Sequence, residues 1–450
     1  MCARSYRIGP RRRWGRMECK NRCTRIWRWG GGCTQWYRLL LQLGRWMRLS
    51  SQDRRPTWAR ITRYVINHID DSLCQPFYSS LEGKPYRYAC LEPHPKWPHL
   101  LVSVLEDHTI DKPSDIVTTL IVINTNTKSI HPLISGADFY ALPRFSPDGS
   151  RITWQQWHHP DMPWDGGEVY VADVIVNEDT LSVKNEIHVA GTKGKVSAGY
   201  PSWRNNDTLI FTLDESGYAN PWKYTNGKAS PLFSEPIPQD FAPPFWSLST
   251  SSYAIIDKKG ELALFSATTD GRDVLYLVDL NGISPPKLVE SPFVVIALIR
   301  TTSLEREEVV FIGQKTDEKG TIVRCSFSSL RKEEFVVLKA ASDVIVNGAP
   351  LPRDIISLPR PITLRTTLPD NSPLPVIYYA PHNPSYSGSS IQGEKPPCIV
   401  NIHGGPTGLE KQGLNWVIQY FTSRGWAWWE HSLFFFSSLR SDMEHLQVRC

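Results

Sequence analysis

The feature that most limits how this chain can fold is a pair of short apolar strands repeated five times. Residues 102–105 and 120–123 recur as 152–155 and 169–172, and again as 209–212 and 222–224. They return as 262–265 and 275–278, then as 309–312 and 322–324. Measured at the second strand of each pair, Val122, Val171, Tyr224, Val278 and Val323 lie 49, 53, 54 and 45 residues apart. A repeat near fifty residues made only of strands predicts the blades of a β-propeller, since one such unit cannot bury both of its faces alone. The turns agree. Phe145, Ser146, Pro147, Asp148 and Gly149, and later Pro201, Ser202, Trp203, Arg204, Asn205, Asn206 and Asp207, supply tight-turn residues ahead of what read as inner strands.

A different pattern begins near residue 360. Segments 361–368 and 374–380 read as a hairpin turned at Pro369, Asp370 and Asn371. A loop over 381–397, rich in Pro, Gly and Ser, leads into Cys398, Ile399, Val400 and Ile402, the run of a strand covered on both faces. His403, Gly404, Gly405 and Pro406 then turn the chain. Leu414, Val417, Ile418 and Phe421 follow with the spacing of one apolar helix face, Gly425 stands where a left-handed cap belongs, and Trp426, Ala427 and Trp428 open another strand. Adjacent glycines let backbone N–H groups approach a substrate and hold an oxyanion, as in the His-Gly-Gly loops of hydrolases. By themselves the four residues fit a plain tight turn equally well.

Taken together, the sequence around Tyr378–Tyr386, Pro396–Thr407 and Leu414–Trp428 closely resembles the start of the catalytic domain in prolyl-oligopeptidase-family serine peptidases. The nearest likeness is to the acyl-aminoacyl or dipeptidyl aminopeptidase-like branch. Residues 103–109 (SVLEDHT), 144–154 (RFSPDGSRITW), 158–173 and 198–211 look like propeller segments of the same branch, so the resemblance runs from about Tyr86 to Trp428. It implies a β-propeller followed by an α/β-hydrolase domain. It also implies a serine attacking the scissile carbonyl of short peptides, an acyl-enzyme, and an oxyanion held partly by the Gly404 and Gly405 backbone, with no metal or organic cofactor. The domain order is then a basic, unstructured region over 1–83, a propeller of about five recognisable blades over 84–350, and the first part of a hydrolase domain over 351–450.

Both ends depart from that family. After Trp428 its members continue into an Asn-Tyr-Gly-Gly-Ser-like turn, whereas this chain diverges over 429–450, and no G-x-S-x-G occurs. Ser437, Ser438, His431, Asp442 and His445 supply triad residue types without the strand-to-helix elbow a nucleophile needs. The expectation is an incomplete hydrolase domain, no triad and no peptidase activity, the pattern of an incomplete or frame-shifted gene product. The alternative is a non-catalytic propeller that binds peptides or proteins.

Charge separates the two parts of the chain. The formal net charge is +5, but residues 1–60 carry sixteen Lys and Arg against Glu18 and Asp53, which leaves the body at −9. Arginine interleaved with tryptophan suits nucleic acid or a transit peptide, yet composition alone carries both, and an unstructured stretch is preferred. Nine cysteines without a Cys-x-x-Cys pair fit free thiols in a reducing, cytoplasmic setting, and no run of about 18 apolar residues spans a membrane. Zinc at Cys2, Cys19, Cys23 and Cys33 is disfavoured by spacing. His158 and His159, with Asp161, would point to opposite faces of a strand and so read as a packed loop, not as metal ligands. Glu106 and Asp107, closing an inner strand beside His108, are candidates to hold a substrate's amino group, weighed against a structural turn cap.

Overall fold

A computed structural model describes residues 85–431, apart from 246–247, 249, 331, 333, 342–344, 347–348, 351, 366–372 and 403–407. The basic region over 1–83, the His403–Pro406 turn, and Ser437, Ser438, Asp442 and His445 therefore lie outside the described residues.

Five four-stranded antiparallel sheets follow one another, each ordered as its strands occur in the chain. The first blade is β1 (Tyr86–Pro93), β2 (Leu100–Asp107), β3 (Val117–Asn124) and β4 (Ser129–Ile134); the second is β5 (Phe139–Phe145), β6 (Arg151–Trp157), β7 (Glu168–Val176) and β8 (Leu181–Ala190). The third is β9 (Ala198–Trp203), β10 (Leu209–Leu213), β11 (Asn220–Thr225) and β12 (Lys228–Pro231). Blade four holds β13 (Tyr253–Ile255), β14 (Leu262–Thr269), β15 (Arg272–Asp279) and β16 (Lys287–Val289), and blade five holds β17 (Val295–Ser303), β18 (Glu308–Gln314), β19 (Thr321–Ser326) and β20 (Val336–Lys339). This is the β-propeller that the repeat predicts. The two recurring sequence strands are the second and third of each blade; β2, β3 and β10 are buried along most of their length, while β7 and β15 bury alternate positions.

Neighbouring blades meet through those strands. Val102 and Leu120 of blade one share a core with Tyr140 and Trp154 of blade two, Val171 packs in one with Leu209 and Phe211, and Leu264 and Leu275 in one with Phe311 and Val323. Fully buried aromatics such as Trp154, stacked on Tyr170, each contribute about 2–3 kcal/mol of apolar burial. The turns at residues 145–149 and 201–207 precede β6 and β10, so they open second strands and not inner ones. Asp148 and Asn205 make them, accepting from the backbone N–H of Ser150 and from those of Asp207 and Thr208.

The innermost strands are β1, β5, β9, β13 and β17, which sequence pattern alone does not pick out. Four of them carry a bulge at matching places, with Cys90, Leu142, Tyr200 and Leu298 at positive φ and a register shift against the next strand. A bulge breaks the period of two on which strand recognition depends.

Between β2 and β3 the chain runs through a loop over residues 108–116. Within that loop His108 Nδ1 lies 3.0 Å from Asp111 Oδ1, and Lys112 Nζ 3.2 Å from Asp115 Oδ2.

After a two-stranded pair, β21 (Ile345–Val346) and β22 (Ala349–Pro350), the chain forms a mixed sheet in the order β23-β24-β26-β25. These strands are β23 (Arg360–Arg365), β24 (Pro373–Tyr379), β25 (Cys398–Ile402) and β26 (Ala427–His431). The hairpin β23–β24 is antiparallel, while β25 and β26 are parallel and joined through a helix, here α1 (Trp416–Thr422). This is the opening part of a hydrolase-type α/β domain.

Two expectations change here. β25 is not covered on both faces. Among the described residues it is an edge strand, paired only with β26, and Val400 and Ile402 are 49% and 72% exposed. The helix also turns a different face inward. Leu414 is buried ahead of α1, and Val417 is 56% exposed, while Ile418 is buried together with Gln419 and Thr422. Gln419 tolerates burial because its amide is fully engaged, Oε1 accepting from Ser357 N at 2.7 Å and Nε2 donating to Ser357 O at 3.2 Å. Asn415 caps the helix by accepting from Val417 N, and Gly425 does adopt positive φ.

Candidate functional site

Residues 408–415, shortly after His403–Pro406 in the sequence, form an extended strap laid across blades four and five. Its sequence, GLEKQGLN, has no helical or strand period, so long-range partners alone fix it. Gln412 N donates to Gly271 O at 2.8 Å and its Nε2 to Asp270 O at 2.6 Å, both on the tip of the β14–β15 hairpin. Leu414 N donates to Lys315 O, and Gln314 Nε2 donates to Leu414 O at 3.0 Å, at the end of β18. Gly271 and Gly413 permit this approach. A Cβ on the first would fall 2.6 Å from Ile377 Cδ1, and one on the second 2.8 Å from Gln314.

An ion pair anchors the strap. Lys411 Nζ lies 2.7 and 2.8 Å from the two oxygens of Asp273, which is 2% exposed. The same carboxylate accepts from Ile296 N at 2.8 Å and Thr268 Oγ1 at 2.9 Å, so its charge is matched on several sides. Outside the strap, Arg353 lies 2.9 Å from Glu318 of the β18–β19 connection, whose carboxyl is held below its ordinary range by hydrogen bonds from Arg353 and Lys315.

Between strap, blade five and the sheet lies an open cleft of about 530 Å³, lined in part by Val295, Gln314, Lys319, Glu410, Trp416 and Glu430. Glu430 sits near the carboxyl end of the parallel strand β26, the end at which open α/β sheets bind ligands. Burial, reinforced by the negative charge of Glu410, pushes its carboxyl up to about 7. Burial also raises the nearby Tyr379 phenol, whose hydroxyl has no hydrogen-bond partner among the described residues. The cleft thus carries a buried carboxyl, Glu430, beside Glu410 and the lysines Lys319 and Lys411.

Of the sites read from sequence, His403, Gly404, Gly405 and Pro406 lie outside the described residues. Glu106 and Asp107 close β2, the second strand of blade one and not its inner strand, opposite Arg87 and Tyr86 of β1. By the blade repeat they occupy the same end as Thr269 of β14 and Gln314 of β18, where the strap docks. His158 and Asp161 take structural partners, His158 Nδ1 lying 3.7 Å from Asp138 and Asp161 accepting from Gly194 N at 2.7 Å. Sequence reasoning missed Asp273, Lys411 and Glu430, none of which stands in a motif.

A propeller of four-stranded blades joined to a hydrolase-type α/β sheet defines a propeller–hydrolase architecture. Comparison with protein-family models finds no match, nor does comparison with curated protein sequences. Solved structures do match. A puromycin-hydrolyzing peptidase of Mycobacterium tuberculosis is 27% identical with a TM-score of 0.64, covering 77% of this chain and 51% of its own. A puromycin hydrolase is 23% identical (TM-score 0.67; 78% of this chain, 51% of its own), and prolyl oligopeptidase B of Galerina marginata 12% identical (TM-score 0.55; 78% and 46%). The chain shares the fold of these prolyl oligopeptidase-type structures, and it spans about half the length of the solved structures it matches. Among the described residues no helix is long and apolar enough to cross a membrane.

Proposed function

We propose that this chain supplies the propeller and the leading hydrolase segment of a serine-type peptidase of the acyl-aminoacyl or dipeptidyl aminopeptidase-like branch, acting on short peptides. The observation that carries this reading is the strap. It follows His403–Pro406 closely in the sequence and is pinned to blades four and five by Lys411, Gln412 and Leu414. In that role the Gly404 and Gly405 N–H groups would face the oxyanion of an acyl-enzyme, with a nucleophilic serine from an elbow that this sequence does not contain. Glu106 and Asp107 would meet a peptide's amino group at the same end of the propeller.

The 450-residue chain itself is then a non-acylating form. Treated with a fluorophosphonate probe it should take no covalent label, and a labelled serine on peptide mapping would falsify this. The amine assignment has its own measurement. Asp107→Asn should weaken binding of a peptide with a free amino terminus while leaving its N-acetylated counterpart unchanged, and equal loss for both would remove Asp107 from that role.

A second reading is a non-catalytic propeller that binds peptides or proteins. It draws on the five blades, which share continuous cores among themselves. It predicts one sharp calorimetric transition for the blades, and a broad one would count against it.

A further inference from the structure

The cleft beside the strap brings polar groups of both signs to one opening and leaves several of them without partners. Glu410 of the strap lines it and has no hydrogen bond or ion pair among the described residues. Lys319, from the β18–β19 connection, lines it too and is likewise unpaired among them. Trp416, the first residue of α1, adds an indole whose Nε1 is buried with no acceptor. Lys411 stays outside this balance, because the Asp273 carboxylate holds it at 2.7 and 2.8 Å.

Glu430 reaches the cleft from the sheet. Strand register sets it opposite Ile377 of β24 and Asn401 of β25, on the face that also carries Trp428 and Tyr379. It is 2% exposed and takes hydrogen bonds from Trp428 Nε1 and the Asn401 side chain, but no cation among the described residues lies within ion-pair distance. An ammonium beside Glu410 and Glu430 would offset both their mutual repulsion and the hydration that Glu430 has lost. A carboxylate would in turn satisfy Lys319 and the Trp416 N–H. The opening, about 530 Å³, lies in the range that holds small ligands, and Val295, Leu414 and Val417 give it apolar wall.

We propose that this cleft binds the zwitterion of a short free peptide, with its ammonium on Glu410 and Glu430 and its carboxylate on Lys319 and Trp416 Nε1. This rests on the reading that the chain takes short peptides, and it adds a site built from residues other than Glu106 and Asp107. It requires no turnover.

The test is calorimetric titration of the full chain with leucyl-leucine, with its N-acetyl derivative and with its C-terminal amide. The free dipeptide should bind about tenfold more tightly than either blocked form, the scale of one charge-assisted hydrogen bond at each end. Glu410→Gln should remove the preference over the acetylated form and keep that over the amide, and Lys319→Met should do the reverse. Since neither side chain has a polar partner to lose, both variants should melt with the parent chain, and the reciprocal pattern separates a site from loss of folding. Equal affinity of the parent chain for all three ligands, or a preference at one end alone, overturns the proposal. Binding that Asp107→Asn weakens, but Glu410→Gln and Lys319→Met leave unchanged, overturns it while keeping the short-peptide reading. No binding of any of the three overturns both.

Discussion

Glu430 holds the least comfortable charge in the cleft. It is 2% exposed, its Oε1 accepts a long 3.3 Å bond from Trp428 Nε1, and Glu410 repels it. With a folded pKa of about 7 against an ordinary value of 4.5, the native state keeps a proton that the unfolded chain has lost. Stability from this group is therefore fully present below about pH 4.5, declines as pH rises through 7, and is flat above that. Glu430→Gln should leave the melting temperature near wild type at pH 5 and raise it at pH 8, by an amount equivalent to at most about 3 kcal/mol. Parallel melting curves for the two proteins across pH 5–8 would show that the carboxyl titrates normally.

At the scale of elements the feature with consequences is β25. A parallel edge strand with Val400 and Ile402 exposed offers unpaired backbone and apolar side chains to any extended segment. Ile402→Lys should reduce concentration-dependent light scattering, with little change in melting temperature, because the side chain it replaces is mostly in solvent; unchanged scattering would place the sticky surface elsewhere. The elements also show how far sequence could be read. Second strands were legible because their apolar runs are largely buried, and third strands because their buried positions recur at the same spacing in the blades. First strands were hidden by bulges at Cys90, Leu142, Tyr200 and Leu298, and fourth strands by brevity and exposure, as in Lys287–Val289. The existence of α1 and its Gly425 cap was legible, but its inward face was not. Burying Gln419 depends on Ser357, 62 residues away, which no local period records.

The blades and the mixed sheet are tied at the strap, and long-range pairing decides their cooperativity. Lys411 and Asp273 are 138 residues apart, so their contact was invisible to any motif, whereas the repeat and the His-Gly-Gly-Pro neighbourhood made the architecture legible. Lys411→Met leaves the nearly buried Asp273 carboxylate with only Ile296 N and Thr268 Oγ1, costing about 2 kcal/mol. Differential scanning calorimetry should then show the mixed sheet melting ahead of the blades, where the parent chain gives a single transition; one undivided transition in the variant would mean that the remaining strap contacts suffice.

The recurring bulge has one more effect, on how the blades come together. Because the inner strand gains a residue on its neighbour at a fixed point, the pair can close in only one alignment. Sliding by one step would set the extra residue against a paired one and turn the buried side chains outward. The irregularity thus works as a notch that indexes four of the five blades, guarding a repeated architecture against mis-threading.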